Sequence, residues 1–127
     1  MSRISIYPYV RSTQIFICPS DTIGQKQGES YGLSACVQGK SAAFFQETAT
    51  KLMLAEERII GSSGGDSTND GYFYYDPAPT GTNDRLSQRH LGGSSVLFVD
   101  GHVKFQIVPD DDMTKKNILM LGGDSAC

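Results

Sequence analysis

Two short runs on either side of an Asp-Gly pair constrain this chain more than any other feature. Val96-Leu-Phe-Val99 is apolar, β-branched and aromatic, a composition that suits a pleated surface. Asp100-Gly101 follows it. Asp-Gly between two such runs signals a hairpin, because a type I′ turn needs positive φ at both central residues, which Gly adopts freely and Asp tolerates. The return run, Val103-Lys-Phe-Gln-Ile-Val108, alternates in character. It puts Val103, Phe105 and Ile107 on a face expected to be buried, and Lys104 and Gln106 on a wet one. Pro109, with no N–H to donate, ends the pairing. The outgoing strand is apolar on both faces, so each needs cover.

At 127 residues the chain is one domain, spanning 1–127, with enough length for a modest core. Eleven basic against fourteen acidic residues leave a net charge of −3, and there is no basic run. Nucleic acid and anionic membrane surfaces are therefore poor candidates for partners. No segment approaches the ~18 apolar residues of a membrane span, and Met1-Ser-Arg-Ile-Ser-Ile-Tyr7 is not a signal peptide. The three cysteines, Cys18, Cys36 and Cys127, fit no zinc-ligand spacing.

Tyr7-Pro-Tyr-Val10 reads as a turn or a broken helical turn, and Gln14-Ile-Phe-Ile-Cys18 as a strand-like run stopped by Pro19. Asp21, after Pro-Ser, reads as a turn former or cap, with a ligand role as the lesser alternative. Gly24 to Glu29 is a polar loop, and Ser41 to Glu47 has room for one helical turn. Lys51 to Ile60 leaves two readings open. The unbroken apolar run Leu52 to Ala55 suits a strand covered on both faces, yet Leu, Met, Ala and Glu are good helix formers. Residues 61–88 form a long loop region, first rich in Gly, Ser and Asp, then carrying the aromatic patch Tyr72, Phe73, Tyr74 and Tyr75, then Asp76-Pro-Ala-Pro79. Four consecutive aromatics must pack on the sheet or face a neighbouring subunit. The tail 109–127 has the charge pattern of a short helix.

Catalysis finds little support. A nucleophile needs a base within reach and a third group to orient that base. His90 and Asp100 supply two such groups, but no Gly-x-Ser-x-Gly elbow accompanies them. Glu56 and Glu57 point to opposite faces if they lie on a strand, and so cannot share one substrate. Calcium is the stronger alternative. Asp66, Thr68 and Asp70 give alternating oxygens with Gly71 at the bend; the bidentate Glu of a full calcium loop is missing, with Pro77 in its place and Asp76 beside it. The competing reading is a solvated turn, which the same residues favour through local hydrogen bonds. Calcium is the one cofactor suggested.

Arg89, His90, Gly92, Gly93, Phe98, Asp100, Gly101, His102 and Val103 stand in one register, with nine residues between His90 and Asp100. That pattern resembles the signature of the prepilin-type His-x9-Asp-Gly proteins, a bacterial family related to type IV pilins and type II secretion pseudopilins. Phe16-x-Cys18-Pro19-Ser20-Asp21, preceded by Pro8-Tyr9-Val10, is similar to a second family segment. Ser30-Tyr31-Gly32-Leu33 is similar to a third, with Ser34 where the family has Asn. The family's Ala-Glu strand falls on Leu52 to Glu56, which favours the strand there and makes Glu56 the matching acid. The resemblance runs from about Tyr7 to Val108.

The resemblance implies an α+β domain dominated by an antiparallel sheet, with a C-terminal Asp-Gly hairpin and short helices, built like a pilin head. Its signature residues His90, Gly92, Gly93, Asp100 and Gly101 are read as structural. The glycines turn the chain into the strand, and His90 pins the loop to Asp21, Glu56 or Asp100. The implied function is assembly without turnover, as a subunit of an extracellular pilus or secretion pseudopilus. Its partners are other pilin or pseudopilin subunits, with a homo-oligomer also open. The family's apolar N-terminal helix, which anchors the precursor in the inner membrane, has to come from ahead of Met1 or from another chain. Without it the sheet should expose an apolar patch. In an exported domain a Cys18–Cys36 disulfide is expected, the alternative being separate thiols. The rival function is a free-standing secreted binding domain, calcium-dependent if the loop binds the ion.

Overall fold

The computed structural model describes residues 3–59, 67, 68, 70–73 and 84–108. Helix α1, Arg3–Val10, contains Pro8. The proline removes one ladder bond without ending the helix, and Arg11 N donates to Tyr7 O at 2.7 Å to close it. The segment read as a strand before Pro19 is instead a 3₁₀ turn, Gln14–Phe16. Among the described residues it has no strand partner. Ser30 ties it down, with its N donating to Phe16 O at 2.9 Å and its hydroxyl accepting from Cys18 N at 2.9 Å. The expected polar loop after Asp21 contains helix α2, Thr22–Gln27. Asp21 is its N-cap, accepting from Gly24 N at 2.7 Å, and Gly28 at φ 83° closes its other end. Such capping outweighs weak intrinsic propensity in a short helix.

Strands β1 (Tyr31–Ser34), β2 (Leu52–Ile59), β3 (Tyr72–Phe73), β4 (Asp84–Leu86), β5 (Gly93–Phe98) and β6 (Val103–Ile107) make one six-stranded sheet. Its order is β3-β1-β2-β5-β6, with β4 paired to the far end of β2. All neighbours are antiparallel except β1 and β3. The fold is α+β with a mostly antiparallel sheet and few short helices. A 3₁₀ turn, Ala42–Phe44, occupies the stretch given one helical turn. Among the described residues no helix is long and apolar enough to cross a membrane. The helix considered for the tail lies outside the described residues.

Register separates the two faces, since residues paired across strands share a side and alternate residues change side. One face carries Leu52, Ala55, Phe73, Leu86, Val96 and Phe98, which with Val108 form the buried core. The other carries Leu33, Leu54, Leu97, Val103, Phe105 and Ile107. The expectation for the returning strand is therefore corrected. Val103, Phe105 and Ile107 are 64%, 48% and 56% exposed, while Lys104 and Gln106 lie on the core side. The cause is position. β6 is the outermost strand next to β5, beyond the packed part of the core face.

The two glycine-bearing turns differ from the sequence expectation in an instructive way. The type I′ geometry falls at Leu91-Gly92, with φ of 53° and 83°, between His90 and Gly93. These two residues exchange backbone bonds of 3.2 and 3.1 Å. At the Asp-Gly pair only Gly101 has positive φ, at 92°. Gly101 N donates to Phe98 O at 2.9 Å and Phe98 N to His102 O at 3.0 Å, so the loop has three residues and ends on a left-handed glycine. Gly93 is required for space. A Cβ there would lie 2.5 Å from Gln106 O and 2.4 Å from Phe105 Cζ. Gly93→Ala is expected to push β5 from β6 and cost about 1–3 kcal/mol, measurable by urea denaturation; an unchanged midpoint would contradict this packing.

Candidate functional site

Glu56 is the centre of a buried charge cluster. It lies on β2 opposite Tyr31 and is 1% exposed. Arg89, carried in the loop ahead of β5, places Nη1 3.4 Å from Glu56 Oε1 and 3.3 Å from Asp21 Oδ2, while its Nη2 donates to Glu57 O at 3.3 Å. Asp21 also accepts from Ser67 Oγ at 2.7 Å. One guanidinium thus bridges two buried carboxylates from segments 35 residues apart in sequence, beneath the signature turn.

His90 joins this cluster through Nε2, 3.0 Å from the Glu56 carboxylate. Of the three acids considered as its anchor, Glu56 is the one it meets. Asp100 is engaged elsewhere: its Oδ1 accepts from His102 N at 3.1 Å and pairs with His102 Nδ1, and these bonds hold its carboxyl below the usual range, the backbone bond most of all. A His90–Asp100 catalytic pair is therefore not formed. His102 stacks on Phe98 with ring centroids 4.4 Å apart. Cys18 Sγ approaches the same His90 Nε2 at 3.4 Å. Burial, and then the Glu56 carboxylate, push the Cys18 thiol up.

The Cys18–Cys36 bridge expected for an exported domain is not formed. Cys18 is a free, buried thiol, and Cys36 is disulfide-bonded without it. The reason is location: Cys18 is held under the signature loop by Ser30 and faces His90, while Cys36 lies in the turn after β1. Cys127 lies outside the described residues.

Glu56 and Glu57 do face opposite sides of the sheet, and both are buried. Glu57 is 0% exposed. Burial pushes its carboxyl up to about 9, with Asp84 and Asp70 adding to the shift and the Thr68 hydroxyl opposing it. It is a neutral acid at pH 7.

Of the calcium residues, Asp66 and Asp76 lie outside the described residues. Thr68 and Asp70 shape the entry to β3: Thr68 Oγ1 accepts from Gly71 N, and Asp70 Oδ1 from Tyr72 N, both at 2.9 Å. They also line a cavity of about 190 Å³ with Gln27, Glu29 and Gly71. In the aromatic patch Phe73 packs on the sheet as a core residue at 5% exposure, the first of the two alternatives, and so is not available for subunit contact. Tyr72 is half-buried, its hydroxyl accepting from Gln38 Nε2 at 3.4 Å. Tyr74 and Tyr75 lie outside the described residues.

Sequence reasoning missed Arg89 as the bridge and Cys18 as the third group at His90. Nothing in their spacing links positions 18, 56 and 90; only the adjacency of Arg89 to His90 was a usable signal. Comparison with family models, characterised proteins and solved structures finds no match.

Proposed function

We propose that this domain is the globular head of a pilin-like subunit, acting by assembly in an extracellular pilus or secretion pseudopilus and carrying out no turnover. The observation that supports it most is the open apolar side of the sheet. Val103, Phe105 and Ile107 lie exposed on β6, and the half-buried Leu97, Leu54 and Leu33 continue the same face across three more strands. A contiguous apolar surface of this kind marks a site of interaction. An apolar helix, laid across the strands from ahead of Met1 or from another subunit, would cover it. The buried cluster at Glu56 suits a structural role for the signature, because it clamps the loop before β5 against the segment around Cys18 and Asp21.

The test is the N-terminal sequence and intact mass of native protein recovered from sheared cell-surface filaments. The expected result is a mature N-terminus with ~20 apolar residues ahead of Met1. A native start at Met1, with the protein absent from filaments, would favour the secreted binding domain instead.

A further inference from the structure

We propose that Cys18, Glu56 and His90 form a three-ligand site for a transition-metal ion, with Zn²⁺ the best match to the donor set. The three residues come from three separate segments, yet their ligand atoms all lie within 4.8 Å of one another. Sγ and Nε2 are 3.4 Å apart, and Nε2 and the carboxylate 3.0 Å. A tetrahedral zinc bound to sulfur at about 2.3 Å and to nitrogen and oxygen at about 2.0–2.1 Å holds such atoms roughly 3.3–3.6 Å apart. Two edges of the ligand triangle already match these values to within about half an ångström, and the third, sulfur to carboxylate, is within 4.8 Å, so small side-chain movements close the three groups on the ion.

A neutral imidazole Nε2 carries either one proton or one lone pair, yet the Cys18 sulfur and both Glu56 carboxylate oxygens converge on it. A cation among the three groups would engage all of these donors at once, which a single proton on Nε2 does not.

The donors choose the metal. A sulfur and an imidazole favour zinc and its neighbours over calcium or magnesium, which take oxygen ligands. Arg89, 3.4 Å from Glu56 Oε1, orients the carboxylate from outside, as outer partners of metal ligands commonly do. With Cys18 as thiolate, the anions Cys18, Glu56 and Asp21 exceed the one guanidinium by two charges, which a divalent ion balances. The His90 side chain is 36% exposed, which connects the cluster to solvent. With three protein donors the ion keeps a fourth position for water or an external ligand, and the site depends on none of the filament reading.

The 127-residue chain, stripped with a chelator and refilled with Co²⁺ as a spectroscopic substitute, tests this. The expected result is one equivalent bound, a thiolate-to-cobalt charge-transfer band in the near ultraviolet, and loss of that band when Zn²⁺ displaces Co²⁺. Cys18→Ser should abolish the band, and His90→Gln should weaken binding at least tenfold, while His102→Gln leaves both unchanged. Circular dichroism establishes that each variant is folded. If Cys18→Ser does not fold, the His90→Gln titration decides, since that side chain is part-exposed. No band at stoichiometric Co²⁺ in the folded parent would overturn the assignment. So would a band surviving in Cys18→Ser, or equal affinity in parent and His90→Gln, the mark of an adventitious surface ion only.

Discussion

Replacing Arg89 with alanine is expected to lower the stability of the fold by about 3–5 kcal/mol, the range for removing one partner of a buried ion pair. The guanidinium is 5% exposed and lies within 3.4 Å of two carboxylates that are themselves 1% exposed. Without it, Asp21 and Glu56 remain buried as neighbouring negative charges with no cation between them. Much of the loss is this uncompensated charge, so removing the charges should restore stability. The triple variant Arg89→Met, Asp21→Asn, Glu56→Gln is expected to recover at least half of the loss in urea denaturation, because neutral groups of similar volume replace the buried ions. If Arg89→Ala shifts the transition by less than about 1 kcal/mol, as for an exposed pair, the cluster is not holding the signature loop in place.

The second large effect is a stability that declines from acid to alkaline pH. The Glu57 carboxyl is raised from 4.5 to about 9, chiefly by burial. A group raised in the folded state contributes its full stability below its unfolded value, and that contribution is lost as pH climbs to the folded one. Between about 4.5 and about 9 the unfolded chain releases a proton that the folded chain retains. The slope approaches ~1.4 kcal/mol per pH unit from this group alone. Glu57→Gln removes the titration while keeping the shape. It is expected to flatten the profile and to be more stable than the parent by ~2 kcal/mol or more at pH 8. Parallel pH profiles for parent and variant would show that the carboxyl is already ionised when folded.

Much of the architecture was legible because it rests on local rules. Alternation and a turn signal identified the β5–β6 hairpin, and Asp21 after Pro-Ser announced a cap. The opposed directions of Glu56 and Glu57 followed from strand periodicity. Where sequence reading failed, a longer-range partner had the last word. Gln14 to Cys18 looks like a strand, but Ser30 bonds the Phe16 carbonyl and the Cys18 N–H, and among the described residues no strand pairs with it. Val103, Phe105 and Ile107 have the pattern of a buried face, yet they occupy the outermost strand, where the pattern cannot reveal which side has a core against it. Cys18 and Cys36 look like a pair only until the fold places Cys18 against His90.

The sequence by itself therefore determined the β5–β6 hairpin and glycines where the backbone must turn or pack closely. Both depend on residues a few positions apart, whose geometry the peptide bond and the side chain dictate. Only the tertiary structure decided that Arg89 bridges Asp21 and Glu56, that His90 meets Glu56 and Cys18, and that Val103, Phe105 and Ile107 lie exposed on β6. Those outcomes depend on which segments share an interior. There, desolvation makes each charge demand a partner wherever in the chain that partner lies.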